Sequence, residues 1–112
     1  MSLPVFILPA AEADLATIRA HLVCAYAEDA ANRFKPAIQE AAEFLGQWPF
    51  AGWRRHFRTP GLRSWQVPGF ERYLIFYRVG DERVEIVRVL YGMRDLSRDL
   101  GAPGHNLRAP GD

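Results

Sequence analysis

The chain has 112 residues, of which 49% are hydrophobic and 24% are charged, and its formal net charge is +1. These values are typical of a single soluble domain and exclude an intrinsically disordered chain. Charged residues interrupt every apolar run well before the length of about 20 residues that a transmembrane helix needs.

The first half of the chain predicts one strand and two helices. A β-rich run flanked by prolines, Leu3 to Leu8, favours an edge strand. A first helix is expected to begin at Glu12 or Asp14, because apolar residues then recur at steps of three and four. The same spacing continues from Phe34 to Trp48 in a second helix. Pro36 either bends this helix or marks the region where its regular part begins.

The second half predicts three strands joined by tight turns. The alternating residues Leu62 to Val67 are followed by a Pro68-Gly69 turn, and the apolar runs Phe70 to Val79 and Arg83 to Leu90 flank Gly80-Asp81. The last run is apolar on both faces, so we expect it inside the sheet rather than at an edge. The element order predicts an α+β fold in which a helical hairpin packs on a small, mainly antiparallel sheet.

One domain accounts for residues 1–100, and residues 101–112, rich in glycine and proline, are a predicted disordered tail. The N-terminus has neither the charged start nor the cleavage site of a signal peptide. Cys24 is the only cysteine in the sequence and cannot form an internal disulfide. We therefore expect a cytoplasmic protein, with Cys24 as a small buried or half-buried apolar residue.

Charge is distributed unevenly along the chain. Residues 1–50 hold three basic and six acidic side chains, whereas residues 51–112 hold eleven basic and seven acidic ones. Thirteen of the fourteen cations are arginine, which pairs well with carboxylates and phosphates. A codon bias would also enrich arginine. In either case the basic half would attract an acidic peptide or a nucleic acid, and the sequence leaves open which.

Five segments resemble one known family when they are taken together and in order. They are A-D-L-A-T-I at 13–18, W-P-F-A-G at 48–52, L-R at 62–63, Y-L-I-F-Y-R at 73–78 and I-V-R-V-L-Y-G-M-R-D at 86–95. Over residues 4–99 the chain resembles the ParE/RelE family of bacterial toxins from toxin–antitoxin pairs. The resemblance implies the toxin half of a type II module, neutralised by a cognate, ParD-like antitoxin through a flexible and often acidic segment.

The family divides by target, and the resemblance implies the ParE-like branch, which acts on DNA gyrase. RelE-like members cut messenger RNA on the ribosome, using cations and a tyrosine or histidine near the C-terminus. Arg63 and Arg94 fall where family arginines would be, but the expected lysine pair and that C-terminal group are missing. We expect inhibition of gyrase by binding, without catalytic residues. The alternative is a ribosome-dependent endoribonuclease that uses Arg63, Arg94 and Tyr91.

The sequence also offers surfaces for the antitoxin. Apolar positions between the helices and the sheet predict a groove for an amphipathic segment. Six arginines are candidate anchors for the partner: Arg54, Arg55, Arg58, Arg63, Arg72 and Arg78. Scattered histidines and one cysteine give no metal-ligand spacing, so no cofactor or metal is expected. No membrane partner is expected, and direct binding of nucleic acid stays open.

Three further side chains have structural interpretations. Asp14 is a candidate helix-start acid rather than a catalytic carboxylate. Trp48 is expected to pack between helix and sheet, and Trp65 is a weaker candidate for the same role. Stacking of tryptophans and arginines on nucleic-acid bases is the alternative interpretation of these aromatics.

Overall fold

The computed structural model describes residues 2–55 and 61–92. Its elements in chain order are β1 (Val5–Ile7), α1 (Pro9–Tyr26), α2 (Glu28–Gln47), β2 (Trp53–Arg54), β3 (Arg63–Val67), β4 (Phe70–Val79) and β5 (Val84–Tyr91). The predicted α+β fold is confirmed. The two-residue β2 is an addition to the predicted elements. The predicted tail, residues 101–112, lies outside the described residues.

The sheet has the strand order β1-β5-β4-β3-β2. β1 runs parallel to β5, and every other neighbouring pair is antiparallel. As predicted, β1 lies at an edge and the apolar β5 lies inside. Gly69 has a φ of 81° in the tight turn between β3 and β4, a conformation that glycine adopts without steric cost.

Both helices pack on one face of the sheet. The predicted apolar residues of α2 are buried there: Phe34, Ile38, Ala41 and Leu45. α1 begins at Pro9 rather than at Glu12 or Asp14, since proline suits the first helical position, where no N–H is needed. α2 begins at Glu28 and continues through Pro36, so a start near Lys35 is wrong. Neither helix of the described residues combines the length and apolar composition that a membrane span requires.

Two of the predicted buried positions are wrong and one is confirmed. Trp65 of β3 stacks on Phe44 of α2 with ring centroids 5.0 Å apart, which joins helix and sheet as predicted. Trp48 is 60% exposed because it lies at the C-terminal cap of α2, where the chain leaves the helix. Cys24 is exposed because it lies about 200° around α1 from the buried Leu22.

Candidate functional site

A groove of about 1000 Å³ lies between the helices and the end of the sheet at which β4 begins and β5 ends. We call it the helix–sheet groove. Its lining combines apolar and polar side chains, among them Ile18, Leu22, Phe70, Arg33, Arg72 and Tyr91. The groove therefore corresponds to the predicted site for an amphipathic segment, and Arg72 is the predicted anchor that lines it.

Arg72 and Tyr91 meet on this groove. Arg72 Nη1 donates a hydrogen bond of 3.1 Å to Tyr91 Oη, and this bond raises the pKa of the Arg72 guanidinium above its ordinary value. The Tyr91 ring packs edge-on against Tyr73, with centroids 5.4 Å apart. Tyr91 nevertheless stays 40% exposed. The pair presents a cation and a phenol side by side at the mouth of the groove.

Three other predicted anchors, Arg54, Arg55 and Arg63, lie around β2 and the start of β3, where Arg54 is opposite Arg63. Arg63 Nη1 donates hydrogen bonds to the carbonyl oxygens of Gly52 at 2.9 Å and Phe50 at 3.3 Å. Its guanidinium also lies 5.0 Å from the centroid of the Phe50 ring. Arg55 Nε donates to Ser64 Oγ at 2.8 Å. Through these contacts, Arg63 and Arg55 stabilise the connection between α2 and β3.

The Tyr77 hydroxyl fixes the same connection from inside the protein. It accepts a hydrogen bond from the Gly52 N–H at 2.8 Å and donates one to the carbonyl oxygen of Pro49 at 2.8 Å. Burial raises the pKa of Tyr77, although the Gly52 N–H and Arg63 partly oppose this shift. Tyr77 and Gly52 both lie in segments that resemble the family. The sequence did not predict their hydrogen bond, because the two segments are far apart along the chain.

Arg78 lies at the far end of β4 and is already paired. Its Nε donates to Glu85 Oε1 at 2.7 Å, and Arg83 Nη2 lies 2.6 Å from Glu85 Oε2. The hydrogen bond from Arg78 is the main cause of a lowered pKa at Glu85. As a partner anchor, Arg78 would have to share or exchange this carboxylate.

Asp14 joins α1 to the sheet. Its two carboxylate oxygens accept hydrogen bonds from Arg88 at 2.6 and 2.9 Å, and Oδ2 also accepts the Val89 N–H at 3.0 Å. β1 pairs with β5 only at residues 84–86, so the carboxylate provides a partner where β5 extends beyond β1. The helix-start interpretation of Asp14 is therefore wrong, whereas its structural role is evident.

Of the residues named for the ribonuclease alternative, the two that the structure describes, Arg63 and Tyr91, are not brought together. Arg63 is opposite Tyr77, whereas Tyr91 is opposite Tyr73, and these partners are four residues or about 13 Å apart along β4. Arg58 and Arg94 lie outside the described residues. Within residues 2–55 and 61–92, no group of three or more His, Cys, Asp or Glu side chains is placed to hold a metal ion.

One comparison with known proteins identifies a family. A family model described as the ParE toxin of type II toxin-antitoxin system, parDE, matches residues 5–96. No curated protein sequence matches the chain significantly.

Two solved structures are similar in fold. A chain of the chromosomal ParDE system from P. aeruginosa has a TM-score of 0.66 and 24% identity, covering 79% of this chain and 94% of that chain. A chain of a RelBE toxin–antitoxin complex from Mycobacterium tuberculosis has a TM-score of 0.55 and 21% identity, covering 81% and 99%. At these identities the structures show the fold alone.

Proposed function

The chain belongs to the ParE toxin family of type II toxin–antitoxin systems, and from this membership we propose that it inhibits DNA gyrase by binding in the cytoplasm. A cognate antitoxin, ParD-like in character, neutralises it. The family match over residues 5–96 carries this proposal. Antitoxin binding has further support from the known structures, since the proteins of similar fold come from toxin–antitoxin systems.

The arrangement of side chains supports inhibition by binding rather than by RNA cleavage. Cleavage requires cations and a proton-transferring group around one scissile phosphate. Arg63 is committed to two backbone carbonyls and lies at the other end of β4 from Tyr91. As placed, these two residues do not converge on one phosphate, whereas a binding inhibitor needs no such convergence.

The helix–sheet groove is the proposed site of the antitoxin. Apolar side chains such as Ile18, Leu22 and Phe70 offer contacts to one face of an amphipathic segment. Arg72 and Arg33 offer charge-assisted hydrogen bonds to carboxylates on its other face. The segment is therefore expected to be acidic and to alternate carboxylates with large apolar residues at helical spacing.

One observation favours the ribonuclease as a second candidate function. The Arg72 guanidinium and the Tyr91 hydroxyl are hydrogen-bonded at an exposed position. A cation beside a phenol could bind a phosphate and transfer a proton. This alternative predicts that Tyr91→Phe, which keeps the ring and removes the hydroxyl, abolishes RNA cleavage.

A gyrase supercoiling assay tests the proposal directly. Purified chain is added to bacterial DNA gyrase with relaxed plasmid and ATP, and a parallel reaction follows messenger RNA on translating ribosomes. We expect loss of supercoiling at near-stoichiometric amounts of toxin, unchanged by Tyr91→Phe, with the message intact. Unimpaired supercoiling together with message cleavage that Tyr91→Phe abolishes would establish the ribonuclease instead.

A further inference from the structure

The face of the sheet that points away from the helices contains buried apolar side chains. We call it the outer face. Strand register places Ser64, Phe76 and Arg88 in one row across it, and Leu74 lies two residues before Phe76 on β4. Phe76 is 0% exposed and Leu74 is 9% exposed. Such values are typical of core residues and not of a sheet face that contacts water.

The helices do not account for this burial. The hydrophobic cluster beneath them contains Tyr73, Ile75 and Tyr77 of β4. Leu74 and Phe76 alternate with these residues along the strand and are not part of that cluster. Successive side chains of a strand point to opposite faces of the sheet. Since both described helices lie on the other side, another part of the chain covers the outer face.

The chain reaches the outer face directly after β5. The N–H of Gly92 donates a hydrogen bond of 2.6 Å to the carbonyl oxygen of Arg72. A Cβ added to Gly92 would lie 3.2 Å from Leu74 Cδ1, so the Gly92 backbone passes close to an outer-face side chain. The described residues end at Gly92. Phe76 lies about 7 Å beyond Leu74 on the same face, within easy reach of the residues that follow.

The sequence after β5 has the apolar spacing that such a cover needs. Residues 93–100 read M-R-D-L-S-R-D-L. Met93, Leu96 and Leu100 recur at steps of three and four, so a helix would place all three on one side. The other segment outside the described residues that is near this face, residues 56–60, reads H-F-R-T-P. It offers one large apolar side chain, which is a poorer match to several buried positions.

Charge on the outer face favours the same segment. Arg88 lies in the row of Phe76, and Arg55 reaches that row through its hydrogen bond to Ser64 Oγ. Arg55, Phe76 and Arg88 each make an interaction in addition to any named above. Asp95 and Asp99 are four residues apart and would flank the apolar side of a helix. Carboxylates in that position complement a face with arginines on it.

We propose that residues 93–100 pack on the outer face as an amphipathic segment and complete a second, smaller hydrophobic core around Phe76. Met93, Leu96 and Leu100 supply its apolar contacts. The domain then has three layers, with the helical hairpin on one face of the sheet and this segment on the other. The outer face is thereby closed to antitoxin and target, which leaves the helix–sheet groove and the sheet edges to them. The proposal does not depend on which target the toxin has.

Two variants of the full chain test the packing through stability. Leu96→Ser replaces an apolar contact of the second core by a hydroxyl and should raise the equilibrium constant of unfolding at least about tenfold. Leu107→Ser is the matched control, the same substitution within residues 101–112, and should change it less than about twofold. Urea denaturation measures both. An unfolded Leu96→Ser protein beside a folded control supports the proposal equally, whereas a Leu96→Ser protein as stable as the wild type would overturn it.

Nuclear Overhauser spectra of the wild type identify the residues that cover Phe76. We expect cross-peaks between the Phe76 ring protons and the methyl groups of Met93, Leu96 or Leu100. Cross-peaks to the Phe57 ring and to none of these methyl groups would assign the cover to residues 56–60 and overturn the proposal. Neither experiment uses toxicity as its readout, so a chain that leaves gyrase active would contradict the proposed function without affecting this result.

Discussion

At the scale of single residues, the Tyr77 hydroxyl links the core to the loop that connects α2 and β3. It accepts the hydrogen bond of the buried Gly52 N–H, and it also donates a hydrogen bond to the Pro49 carbonyl oxygen. A buried N–H that loses its acceptor keeps the full cost of its desolvation. The loop therefore depends on one oxygen atom in β4.

Tyr77→Phe removes that oxygen and should lower the free energy of unfolding by about 2 kcal/mol, because two hydrogen bonds are lost and one buried donor is left unpaired. Tyr73→Phe is the matched control on the same strand and face. The Tyr73 hydroxyl makes no hydrogen bond within residues 2–55 and 61–92, so a change within about 0.5 kcal/mol is expected. Urea denaturation measures both, and equal effects would contradict the bridging role.

Tyr77 also predicts how stability depends on pH. Burial raises its pKa above the ordinary value of 10.0. The folded state therefore holds the phenolic proton more tightly than the unfolded state, so this stabilisation is present below about pH 10 and is lost as pH rises through the folded pKa. Tyr73, whose pKa burial also raises, acts in the same direction.

The free energy of unfolding of the wild type should thus fall between about pH 9 and pH 11. The decline should be shallower in Tyr77→Phe and shallower still when Tyr73→Phe is added. Denaturation series in urea across this range give the slopes. Identical slopes for the three proteins would show that neither tyrosine titrates differently on folding.

Asp14 is the second residue with a large predicted effect. Its carboxylate accepts two hydrogen bonds from Arg88 and one from the Val89 N–H in a partly buried setting. Asp14→Asn keeps the shape but leaves Arg88 without its counter-charge, and we expect a loss of about 2 kcal/mol in unfolding free energy. Asp81→Asn, in the exposed turn before β5, is the control and should stay within about 0.5 kcal/mol. Comparable losses in the two variants would refute the special role of Asp14.

At the scale of elements, the junction between the helices is strained. Ala27 has a φ of 112° and a ψ of 169°, a region that residues with a side chain rarely adopt. Its N–H bonds to the carbonyl oxygens of Leu22 and Val23, both at 3.2 Å, so this conformation closes α1 and starts α2. The sharp turn of the helical hairpin thus requires an unfavourable backbone conformation at one residue, Ala27.

Ala27→Gly should relieve this strain and raise the free energy of unfolding by about 1 kcal/mol. Ala20→Gly, at an exposed position inside α1, is the control and should lower it by about 1 kcal/mol, because glycine weakens a helix interior. Thermal and urea unfolding distinguish the two signs. A loss of stability in Ala27→Gly would mean that the junction is not strained.

Periodicity predicted the elements well where burial decides them. The apolar residues of α2 and the two-faced apolar β5 needed no tertiary information, because each pattern matches only one element type. The start of α1 and the strand β2 were missed for a physical reason. Pro9 is also an acceptable strand end, and β2 exists only because β3 provides its partner.

At the scale of the whole molecule, the sequence predicted six arginines as anchors for one partner, whereas the five that the structure describes lie in three separate places. Arg72 lines the groove, Arg78 is paired with Glu85, and Arg63 supports the loop from within. A sequence gives the number of charges but not their partners, which depend on strand register. Without the strand register, the sequence could not predict that the helix–sheet groove and the connection between α2 and β3 lie apart.

If the antitoxin occupies the helix–sheet groove, substitution of Arg72 should weaken antitoxin binding. Arg72→Glu replaces a cation by a carboxylate, and affinity for the cognate antitoxin should fall at least tenfold through charge repulsion. Arg19→Glu, on α1 outside the groove lining, should change it less than threefold. Isothermal titration calorimetry measures both. Unchanged affinity in Arg72→Glu would place the antitoxin elsewhere.

The most direct test of the central claim is pulse labelling of bacteria after induction of this chain alone, following DNA and protein synthesis side by side. A gyrase inhibitor should stop DNA synthesis first and induce a DNA-damage response while translation continues. Translation that stops first, with messages cut, would contradict the account and identify the chain as a ribonuclease.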